Sequence, residues 1–165
     1  MPYGRKRGNT MAVAGISTIG VQLFYAVETT VGTRPTTGYT ELTRINDIAE
    51  FNLETENIDA SALIDEVTRN IPGRQNAGDT WAITVNTTNA TIAEWEALIT
   101  AFTAKTGGER VWFEVQSPDL TNSYYIAGFP PEKLSMGAKA QNSLDTFQVS
   151  ITVDEVGGYN AKHTV

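Results

Sequence analysis

Cysteine is absent from this chain of 165 residues, and the only histidine is His163, near the C-terminal end. Without cysteine there is no disulfide scaffold, no thiolate zinc site and no thiol nucleophile. The absence also fits maturation in a reducing compartment. One histidine in the closing residues cannot build a histidine triad or metal triad, and His163 is expected as a solvated tail residue. No apolar run reaches the roughly 20 residues that span a bilayer, so no membrane partner is expected. The start, Met-Pro-Tyr-Gly-Arg-Lys-Arg, is basic, but Gly15, Ser17, Thr18 and Gly20 interrupt the stretch Met11–Val21 that would serve as the apolar part of a signal peptide. No targeting segment is therefore expected. Bases are scarce: 12 against 19 acids, for a net charge of −7. Three of the twelve are Arg5, Lys6 and Arg7, and without them the remainder stands at −10. A protein that grips nucleic acid shows a basic face, and this composition does not provide one.

Catalytic patterns are also lacking. The acid pairs Asp65/Glu66 and Asp154/Glu155 are sequence neighbours, and neighbours on a strand point to opposite faces, so neither is expected to converge as general acid and base. Gly107-Gly108 follows a helical pattern, whereas anion binding needs glycines before one. No calcium-loop spacing occurs. The chain is expected to hold no catalytic residue, metal or cofactor and not to be an enzyme. Asn86 and Asn89 begin chance N-x-[ST] sequons. Trp112 and Tyr124-Tyr125 read as packing residues of a sheet or subunit contact; a sugar-stacking platform is the alternative.

What is present is alternation. Residues 20–28 are rich in strand formers. In 45–54, Ala49, Phe51 and Leu53 fall on one face and Glu50, Asn52 and Glu54 on the other. Trp81, Ile83 and Val85 alternate with Thr80, Thr84 and Asn86. Residues 109–116 and 123–129 read as two further strands. In 143–155, Phe147, Val149, Ile151 and Val153 alternate with Gln148, Ser150, Thr152 and Asp154, and Gly157-Gly158 reads as the stop. One segment has helical spacing: Ile92, Trp95, Leu98, Ile99 and Phe102 form a stripe over about 92–105. Thr91 and Glu94 stand at capping-box spacing before it, with Gly107 beyond its end. Trp81, Trp95 and Phe102 read as core. Residues 1–12 read as an arm, 55–79 as a long polar connection and 157–165 as a tail. The expectation is one domain, mainly β: an antiparallel β-sandwich or barrel with one flanking α-helix. The polar strand faces carry Thr84, Asn86, Gln148, Ser150 and Thr152, with Glu50, Glu54, Glu114 and Asp154, and lack Lys and Arg.

Arg34-Pro-Thr-Thr-Gly-Tyr-Thr-Glu-Leu, then Ile45-Asn-Asp-Ile-Ala-Glu-Phe, Asp59-Ala-Ser and Val67-Thr-Arg-Asn-Ile-Pro-Gly-Arg resemble the front half of siphophage major tail tube proteins. Gly78-Asp-Thr-Trp, the helix, Gly107-Gly, Gly128-Phe-Pro and a long last strand resemble the back half. The resemblance covers roughly residues 20–156. It implies a structural subunit in hexameric rings stacked around a lumen for double-stranded DNA, in a virion tail assembled in the host cytoplasm. Implied lumen residues are Glu50, Asn52, Glu54, Thr84, Asn86, Gln148, Ser150 and Thr152. Implied subunit contacts are Arg5, Lys6 and Arg7 of the arm and Asp65, Glu66, Arg69 and Arg74 of the 55–79 segment. Implied partners are further copies, a tape measure, a tail terminator and a distal tail protein. The tube of a contractile tail, bacteriocin or secretion system is one alternative, and a monomeric glycan-binding sandwich using Trp112 and Tyr124 is the other.

Overall fold

The computed structural model describes residues 15–76 and 80–164. The arm with Arg5, Lys6 and Arg7 lies outside the described residues, as do Ala77–Asp79. Nine strands and one helix follow in the order β1 (Gln22–Val27), β2 (Thr40–Leu42), β3 (Ile45–Ile48), β4 (Glu54–Asp59), β5 (Asn70–Asn76), β6 (Thr80–Asn86), α1 (Asn89–Thr103), β7 (Val111–Gln116), β8 (Asn122–Phe129) and β9 (Thr146–Ala161). Seven strands make one antiparallel sheet in the order β2-β1-β7-β8-β9-β6-β3, and β4 with β5 forms a separate hairpin. The mainly β architecture with one helix is thus as expected from the alternation.

The two edges of the large sheet are neighbours in sequence. Leu42 of β2 pairs with Leu23 of β1, and Ile45 of β3 pairs with Val85 of β6. Only Thr43 and Arg44 lie between, so three Cα steps of 3.8 Å bring the edges within about 11 Å. The sheet must curl on itself to allow this, although β2 and β3 are not hydrogen-bonded to each other. Arg44 takes φ 54° at the corner. The corner is tied to the helix: Glu94 accepts from Thr43 N at 2.9 Å and Thr43 Oγ1 at 2.8 Å.

Inside the curl, Leu23, Ile83, Phe113, Ile126 and Ile151 meet Trp95 and Leu98 of α1. Each fully buried side chain of this size is worth about 1.5–3 kcal/mol. Trp95 stacks on Phe113 with ring centroids 6.4 Å apart, and Trp81 meets the same ring edge-on at 5.9 Å. The indole N–H of Trp81 donates to Ala49 O. Phe102 is partly buried against this core.

Several boundaries differ from the sequence pattern. The helix begins earlier, with Thr88 as N-cap and Thr91 in the reciprocal capping position. With Thr88 as N-cap, Glu94 lies a turn beyond the box, and its carboxylate accepts from Thr43 instead. Ala104 ends the helix, not Gly107. The 45–54 strand stops at Ile48, and the described part of the 55–79 connection, residues 55–76, is most of the β4–β5 hairpin. Gly157-Gly158 do not stop β9. In the β8 register Tyr125 faces Gly158 and Ile126 faces Val156, so Gly157 is a bulged residue. A Cβ there would lie 3.0 Å from Trp112 and 3.1 Å from Tyr125 Cβ, and glycine lets the strand pass.

Candidate functional site: a polar sheet face and a projecting hairpin

β6 and β9 run side by side with Thr80 opposite Thr152, Ala82 opposite Ser150, Thr84 opposite Gln148 and Asn86 opposite Thr146. Directly opposed residues share a face, as do alternate residues along each strand. These eight therefore form one surface, opposite to the buried Trp81, Ile83, Val85, Phe147, Val149 and Ile151. None of the eight is charged. β3 extends the surface: Asp47 is in register with Thr84, and Asn46 Nδ2 donates to Asn86 Oδ1 at 3.0 Å.

Five of the eight residues singled out for a lumen are thus brought together: Thr84, Asn86, Gln148, Ser150 and Thr152. Glu50 and Asn52 are not; they are exposed in the connection after β3. Glu54 opens β4 opposite Asn76. Thr80, read on this face from the alternation but not singled out for the lumen, belongs to the surface, as do Ala82 and Thr146, which were missed although the same period-two pattern marks them.

The hairpin is the second feature. None of the 23 residues from Glu54 to Asn76 is buried. β4 and β5 pack chiefly on each other. Leu63, Ile64 and Val67 are 110%, 89% and 75% exposed, and the cross-strand pair Ile58–Ile71 is about half exposed. The tip is nevertheless ordered by its own hydrogen bonds. Asp65 N donates to Ala62 O, and Ala62 N to Asp65 Oδ2. Ser61 N donates to Asp59 Oδ1, Arg69 N to Ser61 Oγ, and Arg69 Nε reaches Asp65 at 3.3 Å. Donation from Ser61 holds the Asp59 carboxyl below its ordinary range. Glu66 and Arg74 are exposed.

Behind β1, β7 and β8 lies a polar cluster that sequence reading did not anticipate. Glu28 is fully buried. Its carboxylate accepts from Trp112 Nε1 at 2.8 Å, Arg110 Nε at 3.0 Å, Arg110 N at 3.1 Å and Gly32 N at 3.1 Å. Burial alone would raise its pKa; these donors outweigh that and hold it below the ordinary value. Arg110 Nη1 also reaches Asp154 at 2.8 Å and Glu155 at 2.6 Å. That corrects the expectation that these neighbours diverge. Ala127 pairs with Glu155 and Gly128 with Val153, so Asp154 is an extra residue that breaks the alternation.

His163 is corrected too. Its side chain is only 10% exposed, with Nδ1 2.5 Å from the fully buried Glu114. It lies between Phe24 and Tyr39, with ring centroids at 4.9 and 5.1 Å. Thr164 N donates to Thr36 O, Lys162 Nζ to Ser117 O, and Tyr125 OH to Ala161 O. The segment after β9 is thus a clasp over the 28–40 loop. Beneath it, burial first and then the Glu114 charge push the Tyr125 phenol up to about 12. Glu114 therefore does not belong to a solvated polar face. Trp112 and Tyr125 are buried, so the sugar-stacking pair of Trp112 and Tyr124 read from the sequence is not formed; Tyr124 is partly buried.

Among the described residues no group of three or more His, Asp or Glu is placed to hold a metal ion. No helix among them is long and apolar enough to cross a membrane.

Comparison with solved structures places the fold. The chain is similar to one in the cryo-EM structure of the anti-feeding prophage baseplate, 6-fold symmetrised, with TM-score 0.55 and 11% identity over 88% of this chain and 95% of that one. It also matches a chain of the anti-feeding prophage tube-terminating cap, with TM-score 0.47 and 15% identity over 96% and 99% of the two chains. At 11% identity the likeness to the baseplate chain concerns the fold alone. No curated protein matches the sequence. The family described as phage tail tube protein, TTP, matches residues 4–155, which include the polar face, the hairpin and the helix, and the chain belongs to that family.

Proposed function

We propose that the chain assembles with copies of itself into stacked rings of six, and that the β6–β9 face lines a channel through which double-stranded DNA passes. The observation that carries this reading is the composition of that face. Eight side chains on two paired strands are small or polar and uncharged, and Asp47 beside them is acidic. DNA carries one negative charge per about 1.7 Å of helix, and cations repeated along a channel would bind it and release counterions. A hydrated, uncharged wall lets it slide. The 6-fold symmetry of the baseplate containing the similar chain makes six the natural ring number to test. The exposed hairpin supplies contacts between copies, since an isolated two-stranded hairpin is at best marginally stable in water. The arm with Arg5, Lys6 and Arg7 offers a basic contact to an acidic body, a heterologous arrangement that closes rings or grows filaments. Tape measure, terminator and distal tail proteins are the further partners of such a tube.

The test is Thr84→Lys or Ser150→Lys in complete particles. Each places six cations in every ring of a hexameric tube. Folding stability should change by only about 0.5 kcal/mol, as for most solvated strand positions. DNA release should slow at low salt and recover as salt screens the attraction. Normal release at low salt would remove these residues from the lumen. Loss of assembly would place the face in a subunit contact.

A further inference from the structure

Glu114 is a fully buried carboxyl in the middle of the sheet. In register it has Phe24 of β1 on one side and Tyr125 of β8 on the other. His163 covers it, donating from its backbone N at 3.4 Å and meeting it through Nδ1 at 2.5 Å. The partner of a buried sheet acid is thus supplied by the segment after β9. The other ties of that segment are single hydrogen bonds: Thr164 N to Thr36 O, Lys162 Nζ to Ser117 O and Tyr125 OH to Ala161 O. Neutral bonds of this kind add little net stability each, whereas a bond to an ionised group is about twice as strong. The closure of the clasp therefore leans on Glu114 and His163.

Each element around the pair brings its own groups. The 28–40 loop contributes Arg34, whose guanidinium lies 4.0 Å from the centroid of the Tyr125 ring, and Tyr39, against the imidazole. β8 contributes Tyr125, and the clasp itself adds Lys162. On β2, Glu41 stands across Phe24, exposed and accepting from Gln22. Burial raises both phenols, Tyr39 and Tyr125, so neither ionises from neutral pH downward. The groups of the buried cluster that change charge in acid are Glu114 and His163. At neutral pH a carboxylate accepts from His163 beside one cation, Arg34. In acid the carboxyl becomes neutral while the imidazole gains a charge. Arg34 and His163 then stand as two sheltered cations with no anion in the cluster, and like charges out of water repel. The root of the loop is fixed separately, because Glu28 keeps its charge below the ordinary carboxylate range.

We propose that Glu114 and His163 form an acid-released latch. Closed at neutral pH, it holds residues 161–164 over the 28–40 loop; in acid it lets that segment go and uncovers Tyr39 and Tyr125 while the sheet stays folded. The inference stands on this cluster and does not need the ring or channel reading.

The test is hydrogen exchange of the full chain from about pH 7 down to about pH 3, a span that takes in the ordinary imidazole and carboxyl values. Labelling times are scaled for the intrinsic exchange rate. The segment 161–164, whose His163 and Thr164 amides donate in the clasp, should lose about tenfold or more of its protection in acid, while β7 and β8 keep theirs. Glu114→Gln has no carboxyl to titrate, so its clasp should exchange at the acid level already at neutral pH and change little below it. Where Glu114→Gln does not fold, His163→Gln takes its place. Its side chain still donates but gains no charge, and its loss on acidification should be much smaller than that of the wild type. Wild-type clasp protection that is equal at both ends of the range, an acid loss shared equally by β7 and β8, or a substituted chain that keeps the full wild-type response overturns the latch.

Discussion

Replacing Glu28 with Gln tests the account of what holds the 28–40 loop on the sheet. The buried carboxylate meets four hydrogen-bond donors and, through Arg110, a formal charge. A glutamine keeps one acceptor oxygen and turns an NH₂ group toward donors. Breaking a buried ion pair by changing one partner costs about 3–5 kcal/mol. Arg110 would keep Asp154 and Glu155, both half exposed, so the lower end, about 3 kcal/mol, applies. For a domain of this size that is a fall in Tm of about 6–12 °C. Glu155→Gln, changing a half-exposed partner, should cost less than about 1 kcal/mol. The pH dependence has a definite sign. The folded-state pKa of Glu28 lies below the ordinary glutamate value of 4.5, so its contribution is complete above that value and is lost as pH falls through the lowered one. Urea melts of wild type and Glu28→Gln should therefore differ most near neutrality and converge in acid below pH 4.5. Equal costs for Glu28→Gln and Glu155→Gln, or a gap that widens in acid, would refute the reasoning.

Other substitutions probe other parts. His163→Ala leaves the buried Glu114 carboxylate without its imidazole partner and should cost about 1–3 kcal/mol; a shift in urea midpoint too small to resolve would mean the clasp contributes nothing. At Gly137 a Cβ would stand 1.7 Å from Thr146 O. Gly137→Ala should therefore displace the start of β9 and cost about 1–3 kcal/mol or more, read from a thermal melt; an unchanged Tm would contradict that close approach. Deleting residues 1–10 should leave a folded monomer with unaltered melting that assembles poorly, scored by sedimentation; assembly as ready as that of the full chain would dismiss the arm as a contact.

Local patterns in the sequence were read well where one face of an element is buried. Trp81, Ile83 and Val85, the Phe147–Val153 series and the Ile92–Phe102 stripe each gave the correct element, because burial imposes the period directly. The same alternation gave Thr84, Asn86, Gln148, Ser150 and Thr152 as one polar set. It failed when extended past Ile48 to Glu50 and Asn52, where no partner strand enforces it, and to Glu54, which pairs with Asn76 in the separate hairpin. The hairpin was invisible because both of its faces are exposed, so Glu54–Asp59 shows no hydrophobic period. Contacts distant in sequence were equally hidden. Glu94 looks like a cap residue until Thr43 is brought to it, Glu114 looks solvated until His163 covers it, and Asp154 and Glu155 look divergent until a bulge turns both to Arg110. The curl of the sheet depends on two residues, Thr43 and Arg44, that carry no pattern at all.

The most direct measurement is cryo-electron microscopy of the purified protein concentrated until it assembles. The account predicts stacked six-membered rings with Thr84, Gln148, Ser150 and Thr152 on the channel wall and no lysine or arginine beside them. A protein that stays monomeric, or a tube in which the β6–β9 face points outward or lies between subunits, would contradict it.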